Sequence, residues 1–214
     1  MPVLAAMAGN HACAIGRVVP TTRSFAGKPK RRTVRNRWRC LDTRPRIGHA
    51  RPAASTLKVS DAIFRGDVLQ TAADGTLDVT FNDATTFSLL RNSQITVDDF
   101  VYQEHGKRNV AAFEVIKGTV SFVASAVAKT GDMRIDTPSA AIGIRGTAGI
   151  VETGAASEMR IKLYPDADGH VGRIEVFGRD SSQLGVLTGG GTGFLVRAGA
   201  PAVPLQISQQ ENGA

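Results

Sequence analysis

The sequence predicts an all-β protein whose many short strands form either a β-helix or solenoid-like arrangement or a two-layer β-sandwich. From about residue 57 onward, apolar and polar residues alternate in short runs, which is the period of a half-buried strand. Gly, Asp and Asn interrupt those runs at positions where turns are expected. No segment of ten or more residues shows the 3.6-residue period of an amphipathic helix, so we expect little helix.

The individual strands follow from this alternation. Residues 76–81 alternate in polarity, Asn82-Asp83 signals a turn, and residues 85–89 resume as the second strand of a hairpin. Residues 110–123 are predicted to form another hairpin about Lys117-Gly118. The remaining strands are predicted over residues 94–101, 133–136, 140–144, 149–153, 158–163, 171–177, 185–188, 193–197 and 203–207.

Composition sets the character of the core and the class of protein. Hydrophobic residues make up 42% of the 214 residues and aromatic residues only 6%, which predicts a core built mostly from Val, Ile, Leu and Ala. The apolar runs of this sequence are all well short of the roughly 20 residues that a membrane-spanning helix needs, so we predict no membrane-spanning segment.

The net charge of +7 divides into two unlike segments. Residues 1–55 carry 12 Lys and Arg and one acid, Asp42, whereas residues 56–214 carry 14 Lys and Arg and 18 Asp and Glu. The first segment lacks persistent periodicity, and its dense basic run predicts a disordered basic leader. The mildly acidic remainder argues against a globular nucleic-acid binder.

Several functions of the leader compete. Its positive charge follows its apolar stretch, the reverse of the order in a secretory signal peptide. It is Arg-rich and nearly free of acids, as organellar transit peptides are. Its basic run could bind phosphates while Trp38 stacks on a base. We favour a disordered extension without a site, and it could also be upstream sequence translated from a wrongly chosen start codon.

We predict no enzyme, no catalytic residues, no cofactor, no metal site and no small-molecule substrate. The only cysteines, Cys13 and Cys40, lie in the leader, and the four histidines form no His-x-x-x-His pair. Residues 166–169 resemble the start of a calcium loop but lack its closing Glu, so we interpret them as a hairpin turn. Residues 189–191 likewise predict a hairpin tip, because neither a helix start nor a Lys follows.

Neighbouring carboxylates at Asp98 and Asp99 are interpreted as solvated charges at a strand edge. Adjacent residues on a strand point to opposite faces, which does not suit an acid/base pair.

Four ordered blocks within residues 66–147 resemble the FecR domain family. They are G-D-x-L-x-T from Gly66 and Asp67, F-x-D-x-T around Asp83, G-x-x-x-F from Gly118, and T-P-x-A-x-x-G-x-R-G-T. The residues that match the last block are Thr137, Pro138, Ala140, Gly143, Arg145, Gly146 and Thr147. The motif residues to which we assign a structural or partner-binding role are Gly66, Asp67, Asp83, Thr137, Pro138, Gly143, Arg145, Gly146 and Thr147.

The resemblance implies a domain organisation and a function. It implies a FecR-like β domain over residues 56–155, with residues 156–214 as C-terminal hairpins that continue the same β body. It further implies a non-enzymatic, extracytoplasmic sensory or protein-binding module, periplasmic or secreted, with a protein partner. The chain shows neither the transmembrane helix nor the anti-sigma segment of the family's best-known members, nor a clear signal peptide.

Two other functions are kept as alternatives: a component of a surface or scaffold assembly, and nucleic-acid association through the basic leader. We regard the second as the weaker of the two. For Arg145 we favour a packed, hydrogen-bonded clamp over direct contact with a partner, because a guanidinium can tie carbonyls or a carboxylate across strands.

Overall fold

The computed structural model describes residues 16–19, 38–41, 54–104, 109–130, 132–154, 157–166 and 168–207. Within them the protein is nearly all β with one short helix, which confirms the predicted class. No helix in this part of the chain has the length and apolar character that spanning a membrane requires. The elements are β1 Gly16–Val19, β2 Trp38–Leu41, β3 Ala54–Ser55, β4 Ala62–Ile63, β5 Val68–Thr71, β6 Leu77–Phe81, β7 Thr86–Leu89, β8 Gln94–Val101, β9 Val110–Val123, α1 Ala126–Thr130, β10 Asp132–Asp136, β11 Ala140–Arg145, β12 Ala148–Thr153, β13 Glu158–Tyr164, β14 Arg173–Gly178, β15 Gln183–Leu187, β16 Thr192–Arg197 and β17 Val203–Gln206.

Pairing arranges these strands in two layers that share β9. The first layer has the order β4-β1-β6-β7-β9-β12-β13-β16-β17. The second has the order β3-β2-β5-β8-β9-β10-β11-β14-β15, and its β9–β10 pair is parallel while the others are antiparallel. From β10 onward the chain places successive hairpins in alternate layers. The two layers therefore join through β9 into one curled sheet of many short strands.

The core lies between the layers and follows the predicted alternation. Inward residues of each strand are buried, as in the pattern of β6, where Leu77, Val79 and Phe81 point inward. The buried residues are mostly Val, Ile, Leu and Ala, as expected. The few aromatic residues are concentrated at the centre, where Phe113 of the second layer lies 4.5 Å from Phe87 of the first between ring centroids. These ring contacts show that the two layers pack face to face.

The hairpin predicted about Lys117-Gly118 is wrong. Residues 110–123 form the single strand β9, whose first half pairs with β8 and β10 and whose second half pairs with β7 and β12. At Gly118 the backbone has φ +89°, a left-handed conformation that favours glycine. The chain therefore bends there and passes from one layer to the other without reversing.

Two other predicted hairpin tips are also crossings between layers. Residues 166–169 connect β13 of the first layer to β14 of the second, and residues 189–191 connect β15 of the second to β16 of the first. Both segments form tight turns, as in the bond from the Gly169 amide to the Asp166 carbonyl at 2.9 Å. The turn signals were interpreted correctly as turns, but the strands on either side pair with other neighbours.

Part of the predicted leader pairs with the β body. β1 pairs with β4 and β6, while β2 pairs with β3 and β5, and none of these three leader strands was predicted. The other residues before 54, including Cys13 and most of the basic run, lie outside the described residues. The boundaries at residues 55 and 155 therefore stay predictions.

Candidate functional site

The turn between β10 and β11 is held closed by hydrogen bonds of its first motif residue. The buried Thr137 hydroxyl donates to the Ala140 carbonyl at 2.9 Å and accepts from the Ala140 amide at 3.1 Å. The Arg179 guanidinium, beyond the end of β14, donates to the carbonyls of Thr137 and Pro138. Thr137 and Pro138 therefore form a turn that hydrogen bonds from Arg179 hold in place.

The other end of the same motif packs against the crossing from β13 to β14. Gly146 has φ +54° and is buried, and the Thr147 hydroxyl donates to the Tyr164 carbonyl at 3.2 Å. A Cβ atom at Gly172 would lie only 2.0 Å from the Gly146 carbonyl oxygen, so the two backbones touch directly. The contacts of Gly146 and Thr147 are thus with the fold itself.

The first motif block ties the start of β5 to β8. Gly66 has φ +85°, and its amide donates to the Val97 carbonyl at 2.7 Å. The Val97 amide in turn donates to the Asp67 carbonyl at 3.0 Å. The buried Asp67 carboxylate accepts the Phe64 amide at 2.9 Å, which closes the turn before β5.

Asp83 connects the turn between β6 and β7 to the helix α1. Its buried carboxylate accepts the Thr85 amide at 2.9 Å, the Thr85 hydroxyl at 2.6 Å and the Val127 amide at 3.0 Å. The Thr85 hydroxyl also accepts the Ser125 amide at 3.0 Å. A carboxylate that satisfies amides at the start of a helix stabilises that start.

Replacing Asp83 by alanine is expected to lower the free energy of unfolding by about 2–3 kcal/mol, because buried amide and hydroxyl donors lose their acceptor. Chemical denaturation measures the change. Asp74→Ala is the matched control, since Asp74 is exposed and its carboxylate takes part in no hydrogen bond with the described residues, and it should change stability by less than about 0.5 kcal/mol. Equal losses in the two variants would contradict this role for Asp83.

The structure does not support the interpretation of Arg145 as a packed clamp. Arg145 is exposed at the end of β11 and makes no hydrogen bond or ion pair with the residues that the structure describes. Inward positions on β11 are taken by Ala140, Ile142 and Ile144, so Arg145 lies on the outer face with Gly143. Of the assigned motif residues, Gly143 and Arg145 are the two that line a surface groove.

This groove runs over the outer face of the second layer and has a volume of about 570 Å³. Its floor crosses β9, β10, β11 and β14, where the outward residues Ala112, Ala141 and Gly143 are small. Phe177 lies beside Gly143 and is only partly buried. We call this surface the outer groove; the charged residues that line it are Asp132, Arg134, Arg145, Glu175 and Arg179.

Three charged residues that line the outer groove, Arg134, Glu175 and Arg179, form ion pairs with residues beside it. Arg134 lies 2.7 Å and Arg179 3.7 Å from the Asp136 carboxylate, and Arg173 lies 2.7 Å from that of Glu175. Sequence reasoning assigned no role to Glu175, Phe177 or Arg179. Glu175 and Phe177 could have been found from their outward positions on β14, whose inward residues Ile174 and Val176 are apolar, whereas Arg179 lies beyond the strand and had no such signal.

The neighbouring carboxylates Asp98 and Asp99 of β8 have different surroundings. A register shift between Val97 and Asp99 interrupts the alternation of β8, so their placement does not follow from simple strand geometry. Partial burial raises the pKa of the Asp98 carboxyl, and the charges of Glu114 and Asp136 raise it further. Asp99 lies 3.4 Å from Arg65 in an ion pair at the surface.

The described residues contain no group of three or more His, Cys, Asp or Glu placed to hold a metal ion. Of the four histidines, only His170 falls within them, and it is exposed on the crossing from β13 to β14. His11, His49 and His105 lie outside the described residues, as does the side chain of Cys40.

Comparison with known proteins adds a family and a fold. Residues 67–164, which run from the start of β5 to the end of β13, match the family described as FecR protein. Two crystal structures of a candidate anti-sigma factor from Parabacteroides distasonis ATCC 8503, at 1.65 Å and 2.50 Å resolution, each align with a TM-score of 0.51 and 12% identity. Each alignment covers 68% of this chain and 62% of that chain, and at this identity it shows a shared fold alone. No curated protein sequence matches the chain.

Proposed function

Because the chain carries a FecR domain over residues 67–164, we propose that it is an extracytoplasmic receiver module that acts by binding a protein partner and catalyses no reaction. The family and the anti-sigma description of the proteins that share the fold both belong to regulation. The protein-binding mode, the location and the absence of catalysis are our proposals.

The proposal rests on one observation: residues of the T-P-x-A-x-x-G-x-R-G-T motif lie in two different environments. Thr137 and Thr147 are buried and hydrogen-bonded within the fold and Gly146 is buried against Gly172, whereas Arg145 and Gly143 face the outer groove. An exposed arginine beside a small-residue floor and an aromatic side chain is suited to contact another protein.

Photo-crosslinking in the source cells tests this surface. A photoreactive amino acid at Ala141, in the outer groove, should give a discrete crosslinked protein. The matched control is Ala148, which is also half-buried but points outward from the first layer. Crosslinks from Ala148 alone, or from both sites to the same background proteins, would contradict binding at the outer groove.

Fractionation of cells that express the full chain with a C-terminal tag tests the location. We expect the chain in the periplasmic or secreted fraction, as the family resemblance implies. Recovery in the cytosol alone would overturn the extracytoplasmic part of the proposal and leave the binding surface to be judged by the crosslinks.

A scaffold function is kept as the second candidate because of the edge strand β15. Its five residues, QLGVL, contain neither a charge nor a proline, whereas the edge strand β17 of the other layer contains Pro204. Unprotected edges can pair with another strand, and charges and prolines oppose this. Sedimentation of the full chain at high concentration tests it, and a strictly monomeric chain would argue against assembly.

A further inference from the structure

We infer that the outer groove binds an extended peptide segment of its partner in which a single carboxylate pairs with Arg145 and an uncharged residue lies beside Phe177. The inference rests on the proposed function and specifies the chemistry of the partner. It follows from the pairing of charges in the groove and from the shape of its floor.

Among the residues that the structure describes, Arg145 has no counter-ion, and the strand register places a second arginine next to it. β11 and β14 pair Arg145 directly with Arg173, and like charges in directly opposite positions of an antiparallel pair are destabilising. Arg173 has its own partner in Glu175 at 2.7 Å. Arg145 is therefore the groove arginine whose donors are open to a carboxylate of another molecule.

The floor admits a peptide backbone. Four neighbouring strands form it, and at the usual strand spacing they span about 14 Å, which equals roughly four residues of extended chain. The small side chains of Ala112, Ala141 and Gly143 allow close approach to this surface, and the partly buried ring of Phe177 offers apolar contact at its side. An extended segment of about four residues therefore reaches across the floor from β9 to β14.

The remaining charges limit the ligand to one acidic residue. Asp132 and Glu175 also line the groove, and Asp136 and Glu114 occupy the outward row next to Ala141 and Phe177. Arg134 and Arg179 share the single carboxylate of Asp136, and the four carboxylates equal in number the four arginines of this surface, Arg134, Arg145, Arg173 and Arg179, so the surface has no excess positive charge. A polyanion would meet several of these carboxylates, whereas one carboxylate placed at Arg145 would have Arg173 on one side and only Asp132, which continues the register of β10 with β11, on the other.

Selection from a phage-displayed library of random heptapeptides on the purified full chain tests the inference. The enriched sequences should contain one Asp or Glu at a fixed position, flanked by uncharged residues. Selection on Arg145→Gln should lose that preference, and selection on Arg145→Glu should replace it with Lys or Arg. The affinity of the full chain for the consensus peptide, measured by fluorescence anisotropy, should fall about tenfold in Arg145→Gln, because a charged hydrogen bond is lost.

Arg91→Gln is the matched control, because Arg91 is also exposed, is unpaired within the described residues and lies outside the groove. It should retain both the acidic preference and the affinity. Failure to enrich acidic peptides, an unchanged preference in Arg145→Gln, or equal binding of polyglutamate would overturn the inference. Crosslinks from Ala141 to a discrete protein would in those cases still uphold the proposed function, whereas their absence would refute the proposed function itself.

Discussion

Replacing Phe113 by alanine is expected to lower the free energy of unfolding by about 4 kcal/mol, the usual cost of deleting a fully buried phenylalanine side chain. Phe113 is 0% exposed, and its ring lies 4.5 Å from Phe87 and 5.1 Å from Phe81 of the opposite layer. The cavity would open where the layers meet. Urea denaturation measures the loss, and Phe113→Leu, which keeps most of the volume, should cost no more than about 1.5 kcal/mol.

Phe177→Ala is the matched control for Phe113→Ala. It deletes the same side chain from the outer face of the same layer, where the ring is only partly buried. Its expected cost is less than about 1 kcal/mol, because the ring loses little apolar contact and leaves no enclosed cavity. If Phe177→Ala destabilised the protein as much as Phe113→Ala, the assignment of inner and outer faces in the second layer would be wrong.

The location of the strands could be predicted because alternation is a local property. Strand β8 lies over residues 94–101 as predicted, and most other strands agree within two residues. Pairing could not be predicted in the same way, because a turn signal states that the chain changes direction and not which strand it meets next. The turns at residues 166–169 and 189–191 illustrate this, since both connect different layers.

The strands β1 and β2 show a second limit of local pattern. Each has four residues, and each is held by pairing with a strand of the β body rather than by an alternating pattern of its own. The surrounding basic composition predicted disorder, and composition averages over longer stretches than four residues. Such strands can be found only when the surface that they complete is known.

Only part of the candidate site could be predicted from the sequence. The motif contains Gly143 and Arg145 of the outer groove, whereas Thr137 and Gly146 of the same motif form a turn and a close backbone contact within the fold. The sequence favoured Arg145 as a packed, hydrogen-bonded clamp, because a guanidinium can tie carbonyls or a carboxylate across strands. Its outward direction depends on which alternate residues of β11 are buried, and the apolar residues Ile142 and Ile144 at the even positions indicate this.

Replacing Gly118 by alanine is expected to lower the free energy of unfolding by about 4 kcal/mol. Two costs combine: a left-handed conformation at φ +89°, worth about 1–2 kcal/mol for a residue with a side chain, and a steric overlap. A Cβ atom at Gly118 would lie 2.5 Å from the Cα of Ser93, so backbone would have to move, which typically costs about 1–3 kcal/mol. Thermal and urea denaturation of the purified variant measure the loss.

The parity of burial in β9 explains why this glycine is needed. Ala111, Phe113 and Val115 are buried before it, and Val120 and Phe122 after it, so the buried face changes from odd to even positions across residues 117–119. A regular strand keeps one parity, and a hairpin or a crossing can change it. Here the change lets one strand supply inward side chains to both layers. Ser93, which directly precedes β8 of the second layer, packs against the bend.

Two control variants separate the conformational and steric costs at Gly118. Gly169 has φ +81° with open space around a Cβ position, so Gly169→Ala should cost about 1 kcal/mol from conformation alone. Gly154 has no positive φ and its nearest neighbour to a Cβ would lie 3.8 Å away, so Gly154→Ala should be nearly neutral. If Gly118→Ala cost no more than Gly169→Ala, β9 would not be packed against Ser93 at the bend, and the passage of one strand between the layers would need another cause.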